Sequence, residues 1–334
     1  MENFEATTPG ETTSRVPRPS YSRALRRGTR TAIFLLRIIL PLSFAVSLLD
    51  WLGLLDKIGD LLGPLMQLWR VPGESAVILV SGWLVGIYGA VAAMAILPLS
   101  AGQITVLAVM TLTAHNLPVE ATVQHRTGTP WWLMAIVRLV TGGVLGWIVA
   151  VATVREGAAP SLAQPSAAVQ ATLGFGPFLL GWLRSAGSLA LKVFVILIGL
   201  MLATEWMAAH DVYRRLARPL RPLLRFMGLS GAVAFLWITA IVLGLAYGSG
   251  LLMEEAREGD RYRPQDLRDL NVSIGLFHSL FEDSALLAAC GASLFWITVP
   301  RMLVAAIVVR IVRWIAPASS GPEAAVAAPR RTLG

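Results

Sequence analysis

The sequence predicts an all-α polytopic membrane protein built from two homologous repeats, and three observations carry that prediction. Only 14% of the 334 residues are charged and 55% are hydrophobic, whereas a soluble domain carries about 25% charged residues. Mean hydropathy is +0.66, and several apolar runs approach the ~20 residues that a spanning helix needs. These runs are continuous rather than alternating, which excludes a β-barrel. The third observation is that residues of the first half recur, in order, in the second.

Net charge is +8 and the base is nearly all Arg, with only Lys57 and Lys192 as lysines. The Arg residues cluster beside apolar runs, as anchors of membrane topology do. The bilayer is therefore the expected partner, and nucleic acid is not. The single Cys290 excludes an intrachain disulfide and a multi-Cys zinc site. It reads as a small core residue.

Along the chain, residues 1–30 are polar, Pro/Ser/Thr-rich and basic, and read as a disordered cytoplasmic tail. The first membrane helix is expected over Thr31–Leu49, opening a first repeat at 31–154. From Asp50 to Arg70, polar residues recur among Leu, Ile and Met at helical spacing, which suits a helix at the interface. Ser75–Leu97 reads as a second span. Gln103–Val123 is weaker: His115 and Glu120 are ionisable and Pro118 removes a helix hydrogen bond, so a broken or re-entrant segment fits. Pro130–Val154 is another span. Residues 155–186 read as a linker. The second repeat, 187–316, holds spans at Ser188–Ala209, Ala232–Met253 and Val299–Ile315. A charged segment lies at 254–269, and a disordered tail at 317–334.

Residues 270–290 are apolar enough for the bilayer yet contain His278, Ser279, Glu282 and Asp283. On one helix these fall with Leu286 and Cys290 on a single face. Charged groups at the bilayer centre cost roughly 2.5–3.5 kcal/mol each against lipid, so the face is expected to look into protein or a water-filled path.

The repeat is read from matched residues. Asp50-Trp51, Asp56, Pro64-Leu65 and Arg70 recur as Glu205-Trp206, Asp211, Pro219-Leu220 and Arg225, at an offset of 155. Tyr88-Gly89 and Met94 recur as Tyr247-Gly248 and Met253, at 159. His115, Leu117, Glu120 and Arg138 recur as His278, Leu280, Asp283 and Arg301, at 163. Each step of four is close to one helical turn, which keeps the inward face inward. Duplicated membrane units place their site where the units meet. His115, Asn116 and Glu120 are thus expected to face His278, Ser279, Glu282 and Asp283 near the midplane. An inverted relation is expected, with a parallel one as the alternative. The inverted plan sets the Arg residues of 211–225 inside and those of 254–269 outside.

The tract Tyr247-Gly-Ser-Gly-Leu-Leu-Met-Glu-Glu-Ala-Arg-Glu-Gly259, with Asn271 and His278-Ser-Leu-Phe-Glu-Asp-Ser284, resembles the nucleoside-recognition or Gate domain. That domain occurs in ferrous-iron transporter B, concentrative nucleoside transporters and spore maturation A and B proteins. The resemblance implies two Gate-like repeats forming a membrane pore or gate, in the bacterial inner (cytoplasmic) membrane with a cytoplasmic N-terminus. It implies His278, Glu282 and Asp283 as path lining and Tyr88, Gly89, Tyr247 and Gly248 as gating or packing elements. The chain has no Gly-x-x-x-x-Gly-Lys-Ser/Thr loop, so it lacks the nucleotide-binding part of the iron transporter.

Two functions follow. One is a transporter or permease that moves a small polar solute, a nucleoside or a divalent cation. The other is a non-transporting membrane component, in which Arg138 pairs with Glu120, and Arg301 with Asp283 or Glu282. An enzyme is not expected, since neither His-Glu-x-x-His nor Gly-x-Ser-x-Gly is present. No cofactor is expected, the identity of any bound metal is left open, and small-residue stripes permit a homo-oligomer.

Overall fold

The computed structural model describes residues 20–155, 174–210, 221–241 and 262–315. All regular structure in these residues is helical. Five helical segments are long and apolar enough to cross a membrane: Tyr21–Trp51, Ala101–Arg126, Trp131–Thr153, Phe175–Met207 and Leu294–Ile315. The tail before Ser20, most of the expected linker, Tyr247-Gly248 and the C-terminal tail lie outside the described residues.

Helix α1 (Tyr21–Trp51) begins well before the expected Thr31. The polar residues 20–30 therefore include its first turns. They are held by packing against α8 (Phe175–Ala209), where the Ser20 amide donates to Glu205 Oε1 at 2.9 Å. At the other end of the pair, Trp182 donates to Ser43 Oγ at 3.1 Å and Trp51 meets Phe175 edge to face with centroids 5.9 Å apart. The two helices are therefore antiparallel. These aromatic contacts also explain why α8 starts at Phe175, inside the stretch read as linker.

Helix α2 (Leu54–Met66) leaves Leu61 and Leu65 exposed, as an interfacial helix does. The expected span Ser75–Leu97 is instead two short helices, α3 (Ala76–Val85) and α4 (Ile87–Met94). A Cβ built on Gly82 would stand 3.4 Å from the Ala90 Cβ, and one on Gly89 would stand 2.9 Å from the Ser81 carbonyl. Eight residues along a single helix would separate such atoms by about 12 Å, so α3 and α4 fold back on each other. The turn is Gly86, at φ 105 and ψ −171, a conformation open to glycine and costly for other residues.

Helices α5 (Ala101–Ala114) and α6 (Leu117–Arg126) form the expected broken segment. Every residue from Ile104 to Ala114 is buried, so the least apolar of the spans is the central one. Helix α7 (Trp131–Thr153) returns alongside it and presents Ile136, Val140, Val144 and Val151 outward. In the second half come α9 (Arg221–Phe226), α10 (Gly231–Ile241), α11 (Pro264–Leu276), α12 (Glu282–Ala289) and α13 (Leu294–Ile315). Of the expected span Ala232–Met253, only the part up to Ile241 is described.

Residues 270–290 are not one helix. The chain leaves α11 at Phe277 and re-enters helix at Glu282. Of the segments 211–225 and 254–269, only residues 221–225 and 262–269 are described. Arg310 and Arg313 donate to the carbonyls of Phe226 and Gly228, both at 2.5 Å, and Arg313 pairs with Asp269. Described residues of both segments thus gather at one end of α13, not on opposite sides.

Candidate functional site

The site forms where two helices break. At the first break, α5 ends at Ala114, His115 is extended and Asn116 has φ 47. At the second, α11 ends at Leu276, Phe277 and His278 are irregular and Ser279 has φ 49. Pro118 lies in the first turn of α6. Its missing N–H leaves a carbonyl of the preceding turn free, so the helix restarts rather than continues. Asn116 N donates to the Gly82 carbonyl at 2.9 Å, and Ser279 N and Leu280 N donate to the carbonyls of Ala240 and Ile241 at 3.3 and 3.0 Å.

A helix broken inside a bilayer exposes carbonyls that water cannot reach. Two buried Arg serve the breaks, Arg138 the first and Arg301 both. Arg138 donates to the carbonyls of Thr113 and His115, both at 2.9 Å. Arg301 donates to the carbonyls of Leu276 at 3.3 Å, His278 at 3.5 Å and Leu112 at 3.2 Å. The equivalence extends to the rings: His115 Nδ1 meets the Thr111 carbonyl at 3.2 Å, and His278 Nδ1 meets the Ile274 carbonyl at 2.6 Å. An Nδ1–H donating to its own helix leaves each Nε2 as an acceptor.

Both Nε2 atoms point to one centre. They lie 3.3 Å apart, and Glu120 Oε1 is 3.2 Å from His115 Nε2 and 3.4 Å from that of His278. Asp283 Oδ2 is 3.5 Å from His115 Nε2. Glu120 and Asp283 sit in the first turns of α6 and α12, where the helix N-terminus favours a negative charge. Arg138 NH1 stands 2.7 Å from Glu120 Oε2, a charge contact without hydrogen-bond alignment. All six side chains are buried. With neutral imidazoles, two Arg and two carboxylates balance. Three acceptors within 3.4 Å of one another then have no hydrogen between them. His115, Glu120 and His278 each offer one ligand atom to such a centre, a set with the chemistry to hold a proton or a metal ion.

The remaining candidates divide. Glu282 turns away from the centre and accepts from Tyr88 Oη at 2.6 Å, tying α12 to α4. Gly89 packs inside the α3–α4 hairpin. Asn116 and Ser279 act through their backbone conformation. Arg301 makes no ion pair with Asp283 or Glu282 among the described residues, because its guanidinium is aligned with the freed carbonyls. Sequence reasoning missed a second buried polar layer. Asn271 donates to Thr127 Oγ1 and Thr129 Oγ1, both at 2.9 Å, and its carbonyl accepts from Gln124 at 2.9 Å. The signal was the Thr127-Gly-Thr129 turn, which reads as an ordinary loop.

Residues 32–126 match the Gate family, described as nucleoside recognition. The match lies within the first half, although the quoted motif lies in the second. The chain is 27% identical over 311 residues to the uncharacterized membrane protein YvoD of Bacillus subtilis (strain 168), covering 90% of this chain and 97% of that one. No solved structure matches it.

Proposed function

We propose that this Gate-domain membrane protein is a transporter or permease whose midplane His115–His278–Glu120 centre carries a proton coupled to solute movement. The observation that supports this most is the convergence of two buried imidazole nitrogens and a carboxylate oxygen within 3.4 Å, all three of them acceptors when both rings are neutral with the proton on Nδ1. Intramembrane groups of this kind mark proton relays and solute paths. A proton adds one charge to a centre whose Arg and carboxylate charges already cancel, where a divalent ion would add two.

The reading includes two inverted repeats. It is supported by the matched contacts of Arg138 and Arg301 and of the two His rings. It is supported as well by the directions of equivalent helices: α1 and α8 are antiparallel, and so are α7 and α13. Helix α7 starts beside Thr129, whose hydroxyl binds Asn271. Helix α13 ends at that same end, beside Asp269, and begins where the Ser293 amide meets Thr105 Oγ1 at the start of α5. The end of α13 also carries Arg263, Arg268, Arg310 and Arg313, and α1 starts with Arg23, Arg26, Arg27 and Arg30. The positive-inside rule makes this side cytoplasmic.

The test is uptake by proteoliposomes, screened over nucleosides and Fe²⁺, Mn²⁺ and Zn²⁺, with and without a pH gradient. The expected result is uptake of one solute that depends on the gradient and is lost in His115→Gln/His278→Gln, with the variant still folded. A second reading, a divalent cation as cargo, is favoured by the acceptor separations of 3.2–3.4 Å. Tetrahedral ligands at about 2.0–2.1 Å stand about 3.3 Å apart. Metal uptake without a pH gradient would select it. No uptake of any solute, with a variant that cannot fold, would leave the buried charges to a non-transporting component.

A further inference from the structure

A cavity of about 300 Å³ opens between α4, α8 and α12, lined by Arg184, Ser185, Ser188, Lys192, Leu286 and Cys290, among others. Among the described residues, none of those lining it is acidic. Arg184, Ser188 and Lys192 follow at i, i+4 and i+8, on one face of a spanning helix. At 1.5 Å per residue, Lys192 lies about 25 Å from the start of this ~50 Å span, at its centre, and Arg184 about 14 Å in. Two exposed cations at these depths are costly against lipid. Neither has an acidic partner among the described residues. Leu286 lies one turn beyond Glu282, so the cavity adjoins the Tyr88–Glu282 contact.

We infer that this cavity binds a small anion, through a carboxylate or phosphate group held by Arg184 and Lys192 and oriented by the hydroxyls of Ser185 and Ser188. Charge complementarity and hydroxyl donors are the chemistry such groups need. The anion is either a soluble solute or the headgroup of an acidic lipid. The site stands on its own geometry and does not depend on proton coupling at the His centre.

Cys290, the only cysteine of the chain, reports on the cavity without engineering. The full-length protein in phosphatidylcholine nanodiscs is treated with an anionic sulfonate methanethiosulfonate or with its cationic trimethylammonium analogue, and modification is followed by intact mass. The anionic reagent is expected to react about tenfold faster, a ratio that falls to about one in Arg184→Gln/Lys192→Gln. Phosphate or succinate, at constant ionic strength, is expected to slow modification of the wild type only. Slowing by phosphatidylglycerol in the disc, without soluble anion, identifies the headgroup as occupant; its absence identifies the solute. Should the double variant not fold, Lys192→Gln gives the same comparison. Equal rates for the two reagents, protection by neither soluble anion nor acidic lipid, or no modification at all would each overturn the site.

Discussion

Arg138 answers two needs with one guanidinium: it fills the carbonyls left by the end of α5 and faces Glu120. Replacing it with Met leaves Glu120 buried and unpaired, a loss expected to cost about 3–5 kcal/mol. Thermal melting in detergent measures this, and the double change Arg138→Met/Glu120→Gln should recover part of it. No recovery would mean that the carbonyl contacts carry the whole effect. At the turn itself, Asn116 holds φ 47, a region costing most L-residues roughly 1–2 kcal/mol. Asn116→Gly should melt like the wild type and Asn116→Val well below it; equal melting of the two would separate the site from its backbone turn. His115, Glu120, His278 and Asp283 were readable as a group, because ionisable residues rarely stand in apolar spans without cause. Glu282 was grouped with them because helical phase was carried across 277–281, where there is no helix.

The helices differ in how far their sequence discloses them. The break in α5–α6 was legible, since Pro118 and a polar centre both oppose a continuous helix. The α3–α4 hairpin was not. Some twenty apolar residues serve equally to cross a bilayer or to enter it and return, and the deciding feature is one backbone conformation at Gly86. The hairpin is seated through Gly82, where an added Cβ would lie 2.7 Å from Thr111 Cγ2. Gly82→Leu is expected to lift the hairpin off α5 and to lose the bond from Asn116 N to the Gly82 carbonyl. Fluorescence-detected size exclusion should then show a reduced folded fraction, whereas an unchanged profile would refute this seating. The early start of α8 was likewise hidden, because Phe175 gains its place only by meeting Trp51.

Across the molecule, α1 begins and α13 ends at the Arg-rich end, while α7 ends and α8 begins at the other. Reporter fusions after Trp314 are expected to be active as cytoplasmic fluorescent protein, and fusions within 156–173 as exported alkaline phosphatase. The opposite pattern would reverse the orientation, and both fusion sites on the same side would contradict the proposed inverted repeats. Composition was enough to indicate a helical membrane protein, and ionisable residues inside apolar runs were enough to pick out the His and carboxylate residues, because lipid admits few polar groups and each exception is visible. Which acceptors share a proton or ion, which Arg pairs with a carboxylate and which with carbonyls, and which ends of the helices lie together were decided only by the tertiary structure. These depend on distances between residues far apart in sequence, 163 positions between His115 and His278 and 189 between Leu112 and Arg301, and on turns at Gly86, Asn116 and Ser279 that hydropathy does not register.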